Sequence, residues 1–365
     1  MSSPLIGVIN LIGEPDALGP ITSSRCLASV PFGARYRLID FVLSGMVNSG
    51  ISKVAVFTDA NYRSLLDHLG SGRHWNLHLR ESGLFVLPPV SPKSGDLYHF
   101  NHHCDFFLRS KEPFVAVTRG HVVCNVDFAA VLAFHEEKNA DITIVCTKRR
   151  DPRPYTAPAV ETDETSRVVS LTVSGGQSDS RLVSMEIYVL RKSLLLELAR
   201  ASQEAGPARL VHDGIAPMVG EWKVYAYRHN RYTGIIDSIE HYFLHNMDLL
   251  EPDVWNELFF HPGPIFTKIK DEPPTRFQAG AEVSRSLIAN GCVIEGTVEN
   301  SILFRGVRVH KKAVVRNSIV MQNGEIGESA VVDCAILDKE AKVQQGRHVC
   351  GTERRPLIVG KRQII

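Results

Sequence analysis

Hydrophobic and polar positions follow two different rhythms along this chain. Up to about residue 250, short β-branched runs alternate with segments of helical spacing. Leu5–Leu11 and Lys53–Phe57 read as buried strands, and between them Ile39, Val42, Leu43, Met46 and Val47 recur three or four apart, as one face of a helix requires. The alternation continues through a strand at Pro113–Val117, a helix over 128–138 and a strand at Asp141–Cys146. A strand at Met185–Leu190, a helix at Lys192–Ala205, a strand at Trp222–Arg228 and a helix at Ser238–Leu250 complete it. Such an order predicts an α/β domain, Rossmann-like, with a mostly parallel sheet between helices. Ligands bind such sheets where the strands end.

The second rhythm begins after a stretch broken by Pro252, Pro262, Pro264, Pro273 and Pro274. From Val283 onward aliphatic residues recur every five or six positions: Leu287/Ile288, Val293/Ile294, Val298, Ile302/Leu303, Val307/Val309, Val314/Val315 and onward to Val349. Neither a strand of period two nor a helix produces that spacing. A coil of short strands stacking an aliphatic ladder does, so a hexapeptide-type parallel β-helix is expected. The predicted division is 1–255 for the α/β domain, 256–278 for a linker and 279–365 for the β-helix.

Composition narrows the function classes. With 41 Lys+Arg against 40 Asp+Glu the net charge is +1, so no bulk basic field is available for nucleic acid or an anionic membrane. The N-terminal apolar run breaks at Gly7 and Asn10 and has no basic stretch before it, which predicts neither a signal peptide nor a membrane span, hence a cytoplasmic protein. Seven scattered cysteines without a Cys-x-x-Cys pair predict reduced thiols instead of a disulfide framework or zinc ribbon.

Three ordered blocks carry a family resemblance. Val30-Pro-Phe-Gly-Ala-Arg-Tyr-Arg-Leu-Ile-Asp-Phe41, continued by Leu43-Ser44 and Asn48-Ser49-Gly50-Ile51, resembles the P-F-G-G-[KR]-Y-R-L-I-D-F…L-S-N…N-S-G-I block of glucose-1-phosphate adenylyltransferases. Val183-Ser-Met-Glu-Ile-Tyr-Val-Leu190 is similar to the family's A-S-M-G-I-Y-V-F, and His245-Asn-Met-Asp-Leu-Leu250 to its E-A-N-M-D-L-L. The resemblance implies a nucleotidyltransferase (GT-A-type) first domain and a left-handed β-helix second. It also implies nucleotidyl transfer from ATP to glucose 1-phosphate, with Mg²⁺ held by two aspartates and cationic clamps on the phosphates.

Position by position, the residues for that chemistry are missing. In the family's L-A-G-G-x-G-T-R-L loop the second of the later glycines becomes Pro15 and the clamp arginine Ala17, while the following lysine becomes Leu27. Glu14 and Asp16 place negative charge where a triphosphate would lie. The first metal aspartate becomes His121, a poor ligand for a cation that prefers oxygen donors, and the second becomes Ile235. The sugar-phosphate lysine has no counterpart in Val173-Ser-Gly-Gly176, and the glycine of S-M-G-I-Y is Glu186. Scaffold motifs stay while site motifs go, an asymmetry that misalignment would not produce. The resemblance therefore implies a catalytically degenerate homologue similar to the non-catalytic subunit of some Gram-positive bacteria. Such a subunit needs no cofactor and modulates a catalytic partner in a heterotetramer, or forms a homotetramer.

Two alternatives stay open: an active enzyme with a rearranged Mg²⁺ site using Asp237 or Asp127, and a module that senses a sugar phosphate or nucleotide. Arg35 matches the family's effector-binding lysine, with Arg37 beside it and Arg63 near another regulatory basic position. These three are expected to hold a small anionic effector, or else to make structural pairs such as one with Asp40. His99, His102, His103, Cys104 and Asp105 crowd together, but adjacent side chains cannot converge on one ion, so a polar loop and helix start are expected, with no metal. Arg305, Arg308, Lys311, Lys312 and Arg316 read as a solvated basic stripe. His310 and His348 have no supporting acid or loop nearby in sequence, so a hexapeptide acyltransferase is not expected.

Overall fold

The computed structural model describes residues 3–14, 16–78, 82–90, 95–149, 155–173, 182–205 and 208–365. Pro15 and residues 174–176, which entered the comparison of motifs above, lie outside them. The chain divides into two compact units that are discontinuous in sequence. The first is Met1–Pro15, Phe41–Ile235 and Phe260–Phe266; the second is Asp16–Asp40, Ile236–Phe259 and Thr267–Ile365.

The first unit is built on a nine-stranded sheet. Its strands are β1 (Leu5–Asn10), β2 (Val54–Phe57), β3 (Leu84–Leu87), β4 (Phe114–Thr118), β5 (Ile142–Lys148), β6 (Ala159–Thr162), β7 (Val168–Thr172), β8 (Leu182–Arg191) and β9 (Val224–Arg228). β4, β1, β2 and β3 run parallel, as do β5 and β9. β8 breaks the rule, running antiparallel between β5 on one edge and β4 and β6 on the other. The central strands β1 and β2 are covered on both faces, and every residue of each is buried. Helices flank the sheet, among them α1 (Leu38–Asn48), α2 (Arg63–Leu69), α3 (Asp96–His102), α4 (Cys104–Leu108), α5 (Phe128–Glu137) and α6 (Lys192–Ala205). α5 starts where Asp127 accepts hydrogen bonds from the Ala129 and Ala130 amides.

In the second unit three five-stranded parallel sheets wind into the β-helix. Each ladder stacks one aliphatic residue per coil: Ile294, Val309, Ile326 and Val343 on one face; Val298, Val315, Val332 and Val349 on the next; Leu303, Val320, Leu337 and Val359 on the third. All twelve are buried, so the five-to-six-residue rhythm is the spacing from face to face. Two further helices, α7 (Ile239–Met247) and α8 (Pro252–Phe260), belong to this unit apart from the last residue of α8. The stretch expected as a linker thus begins inside α8, where Pro252 is tolerated at the helix start.

Segment Asp16–Asp40 is held within the second unit by long-range polar contacts. Arg25 forks onto Asp338, Nη1 to Oδ1 and Nη2 to Oδ2 both at 2.9 Å, with side chains 2% and 1% exposed. Tyr242 donates to the Pro31 carbonyl at 2.7 Å, and the Gly33 amide donates to Asn246 Oδ1 at 3.0 Å. Among the described residues no helix is long and apolar enough to cross a membrane. All seven cysteines are free.

Candidate functional site

The first unit carries a cavity of about 170 Å³ whose lining includes Gly13, Asp96, Arg119, His121, Glu186 and Arg209. It lies where β8 changes partner. Leu182 and Val183 pair with β6 and Ile187–Arg191 with β4, while the pairing to β5 shifts register between Ser184 and Ile187. Glu186 sits in that bulge with φ +51°, a left-handed conformation that side chains other than glycine's seldom adopt.

The Glu186 carboxylate meets two groups from the end of β4. Arg119 Nε lies 3.4 Å from Oε1 and His121 Nε2 lies 3.2 Å from Oε2. Burial disfavours the charged carboxylate, but the His121 hydrogen bond and the Arg119 charge outweigh it and bring its pKa down to about 2. Burial likewise works against the Arg119 charge, and Glu186 with Asp96 and Glu14 more than restores it. The sign follows: a carboxylate depressed from its ordinary value of 4.5 stabilises the fold above that pH and loses this contribution as pH falls toward about 2. Between pH 8 and pH 5 the triad is expected to stay intact, with its share of acid destabilisation appearing only below about pH 4.5. Denaturation midpoints of the parent and Glu186→Gln proteins, measured across that range, should converge at the acid end.

The loop after β1 is closed to anions as well. Two of its amides are already engaged: Gly13 N–H donates to Asp59 at 2.9 Å and Ile12 N–H to Asn10 Oδ1 at 3.1 Å. Its carbonyls face Arg119, whose Nη1 donates to Asn10 O at 3.2 Å and Ile12 O at 2.7 Å. A phosphate cradle needs free amides, and this loop instead surrounds an internal cation.

The two positions aligned with the family's metal aspartates do come together. Strand Thr233–Ile235 pairs antiparallel with Val122–Cys124, Ile235 opposite Val122, which places Ile235 beside the chain position of His121. Both are buried, at 2% exposure, and neither offers a carboxylate. The carboxylates available for a relocated site have other partners. Asp127 caps α5, and the buried Asp237 is hydrogen-bonded to His241 Nδ1. Among the described residues no group of three His, Cys, Asp or Glu side chains is placed to hold a metal ion. In the histidine cluster, His99 Nδ1 accepts from the Val90 amide, His103 Nε2 contacts the Pro88 carbonyl and Asp105 pairs with Arg109.

The other positions fall in separate places. Ala17 is half-buried and Leu27 buried in the second unit, each contributing an apolar side chain only. Arg35 and Arg37 flank a hairpin of Pro31–Phe32 with Tyr36–Arg37, turned by Gly33 and Ala34 at positive φ. Arg35 is exposed over the Tyr36 ring, and Asp40 accepts from the Arg37 amide instead of pairing with the Arg35 guanidinium. Arg63 is exposed at the first position of α2, in the first unit.

Around the hairpin lies a cluster of cations that the sequence alone did not assemble. Lys339 is half-buried, and burial, reinforced by the Arg37 and Arg25 charges, brings its pKa down to about 7. Burial also lowers Lys270, together with Arg305, Arg37 and Lys268; Arg305 is lowered by burial and then by Arg35. Arg305, expected on a solvated stripe, is only 8% exposed, whereas Arg308, Lys311, Lys312 and Arg316 are exposed as expected.

Comparison with known proteins places this architecture. The nucleotidyl transferase family matches residues 8–244, and the GlmU-like C-terminal hexapeptide family matches 273–355. The glycogen biosynthesis protein GlgD of Bacillus subtilis is 36% identical over 99% of this chain and 96% of its own length; that of Geobacillus stearothermophilus is 43% identical over 86% and 84%. A glucose-1-phosphate adenylyltransferase of Desulforamulus reducens is 30% identical over 92% of this chain and 87% of its own. The chain belongs to the glucose-1-phosphate adenylyltransferase family. In this adenylyltransferase homologue positions 121 and 235 come together with an imidazole and a sec-butyl side chain.

Proposed function

We propose that this chain is a regulatory, catalytically degenerate member of the adenylyltransferase family that assembles with a catalytic subunit and modulates ADP-glucose formation for glycogen. The observation that carries the reading is the cavity of the first unit. Its charges are neutralised internally by Arg119, His121 and Glu186, and the adjoining position 235 is an isoleucine. Nucleotidyl transfer concentrates negative charge between two phosphate-bearing substrates, and stabilising it takes cations or a metal directed at that charge. Here the Gly13 and Ile12 amides are engaged by Asp59 and Asn10, and Arg119 already has its carboxylate. With carboxylates missing from positions 121 and 235, the chain has nothing there to hold Mg²⁺. Relatives named for glycogen biosynthesis support the pathway assignment.

Modulation is assigned to the cation cluster of the second unit. Arg35 and Arg37, with Lys270, Arg305 and Lys339, form a field suited to a small anionic effector carrying phosphate or carboxylate groups. Arg35→Ala removes an exposed charge without opening the core. It is expected to weaken the effector response of the assembled enzyme several-fold while leaving assembly intact. An unchanged response in a titration of effector against turnover would remove Arg35 from the site.

A further inference from the structure

We infer that Glu186 is a tethered occupant of its own pocket, a carboxylate that takes, against Arg119 and His121, the place an incoming phosphate would need. The inference rests on the non-catalytic reading above and adds which side chain bars an anion from the cavity. Three observations carry it. The backbone at 186 adopts a conformation suited to glycine, yet the residue is a glutamate, a local cost that persists only where its surroundings compensate it. The compensation is visible: both carboxylate oxygens are engaged, by Arg119 at 3.4 Å and His121 at 3.2 Å, and the Glu186 amide donates to Ser184 Oγ at 2.9 Å across the bulge. His121, 2% exposed, lines the cavity with its Nδ1 buried and without a partner among the described residues.

The remaining charges of the cavity set how strong the latent site is. Asp96 is committed, Oδ2 to Asn10 Nδ2 at 2.7 Å and Oδ1 to the Leu210 amide at 2.7 Å. Glu14 and Asp96 both contribute to holding Arg119 charged. They oppose an anion, whereas Arg209 at the lining favours one; His212, also at the lining, is paired with Asp213 at 2.6 Å. Removing the Glu186 carboxylate takes away the nearest negative charge and vacates its volume, leaving Arg119 Nε and His121 Nε2 without the acceptor that a phosphate monoanion of similar reach can supply.

The test uses inorganic phosphate and the full-length protein. Glu186→Gly relieves the backbone and opens the pocket. Histidine-labelled protein is titrated with phosphate against chloride at equal ionic strength, following the His121 ring resonances, assigned by their loss in His121→Gln. The expected result is a saturable shift in the variant, with phosphate bound at least about tenfold more tightly than by the parent at this site. Adding Arg119→Ala to the variant should abolish the shift. A parent protein whose His121 responds as the variant's does, a folded variant with no response, or a response surviving Arg119→Ala would each overturn the inference. Should Glu186→Gly not fold in either buffer, Glu186→Asn, which removes the charge, shortens the side chain and tolerates the left-handed backbone, decides it. Phosphate must then raise its thermal midpoint more than the parent's, and equal shifts would refute the idea. None of these readings involves turnover or a catalytic partner, so their failure is separate from failure of the regulatory assignment.

Discussion

Asp338→Ala is expected to destabilise the second unit by about 3–5 kcal/mol, the largest effect of any single substitution discussed. The reason is asymmetric. Arg25 and Asp338 are both almost wholly buried and meet through two 2.9 Å hydrogen bonds, so the pair is neutral and satisfied. Truncating the aspartate leaves a desolvated guanidinium with no counter-charge. The double substitution Arg25→Met with Asp338→Leu removes both charges together and should cost much less than the single change. Chemical denaturation of the three proteins, read on the transition of the second unit, checks this. Losses below about 1 kcal/mol for Asp338→Ala would show that the pair is not made as described.

The second large effect concerns the cation cluster. Arg37→Ala and Lys339→Ala are each expected to weaken binding of a phosphate-bearing anion about tenfold or more, because hydrogen bonds to charged groups contribute roughly 1.5–3 kcal/mol. Lys339 also gives the site a pH dependence. Its amine, lowered to about 7 by burial and by Arg37 and Arg25, and opposed by Asp338, is largely neutral at pH 8 and largely protonated at pH 6. Affinity should therefore rise as pH falls through 7, and binding should take up a proton. In Lys339→Met that slope should flatten. The same repulsion implies that the parent gains stability as pH rises from about 7 toward the ordinary lysine value of 10.5, since the unfolded chain holds that proton more tightly. Calorimetry at pH 6 and pH 8 with inorganic sulfate, whose own charge does not change between the two, separates these outcomes. Equal affinities at both pH values would take Lys339 out of the binding field.

Local patterns were legible in the sequence where one element determines them. The β-helix announced itself because Val298, Val315, Val332 and Val349 must be aliphatic to fill one ladder. The buried strands β1, β2 and β5 showed as unbroken hydrophobic runs. His121 and Ile235 were singled out by their motifs, and the pairing of Ile235 opposite Val122 places them side by side. What stayed hidden depends on chain crossings. Arg119 and Glu186 are 67 positions apart and meet only because β8 inserts antiparallel beside β4. Nothing in the composition of Thr118-Arg119-Gly120 marks the arginine as an internal counter-ion. Arg305, Lys270 and Lys339 come from separate coils or connections, so their clustering with Arg37 emerges only on folding. The membership of Asp16–Asp40 in the second unit was likewise invisible, because a single buried pair over 313 positions carries no local signature.

Regulation, with no chemistry of its own, is the role proposed for this chain. The most direct measurement is ADP-glucose formation from ATP and glucose 1-phosphate with Mg²⁺, using this protein alone, a catalytic adenylyltransferase subunit alone, and the two mixed. The account predicts no turnover by the protein alone and a changed rate, substrate affinity or effector response in the mixture. Mg²⁺-dependent turnover by the protein alone that is abolished by Asp237→Ala, or a mixture that behaves as the catalytic subunit does by itself, would contradict it.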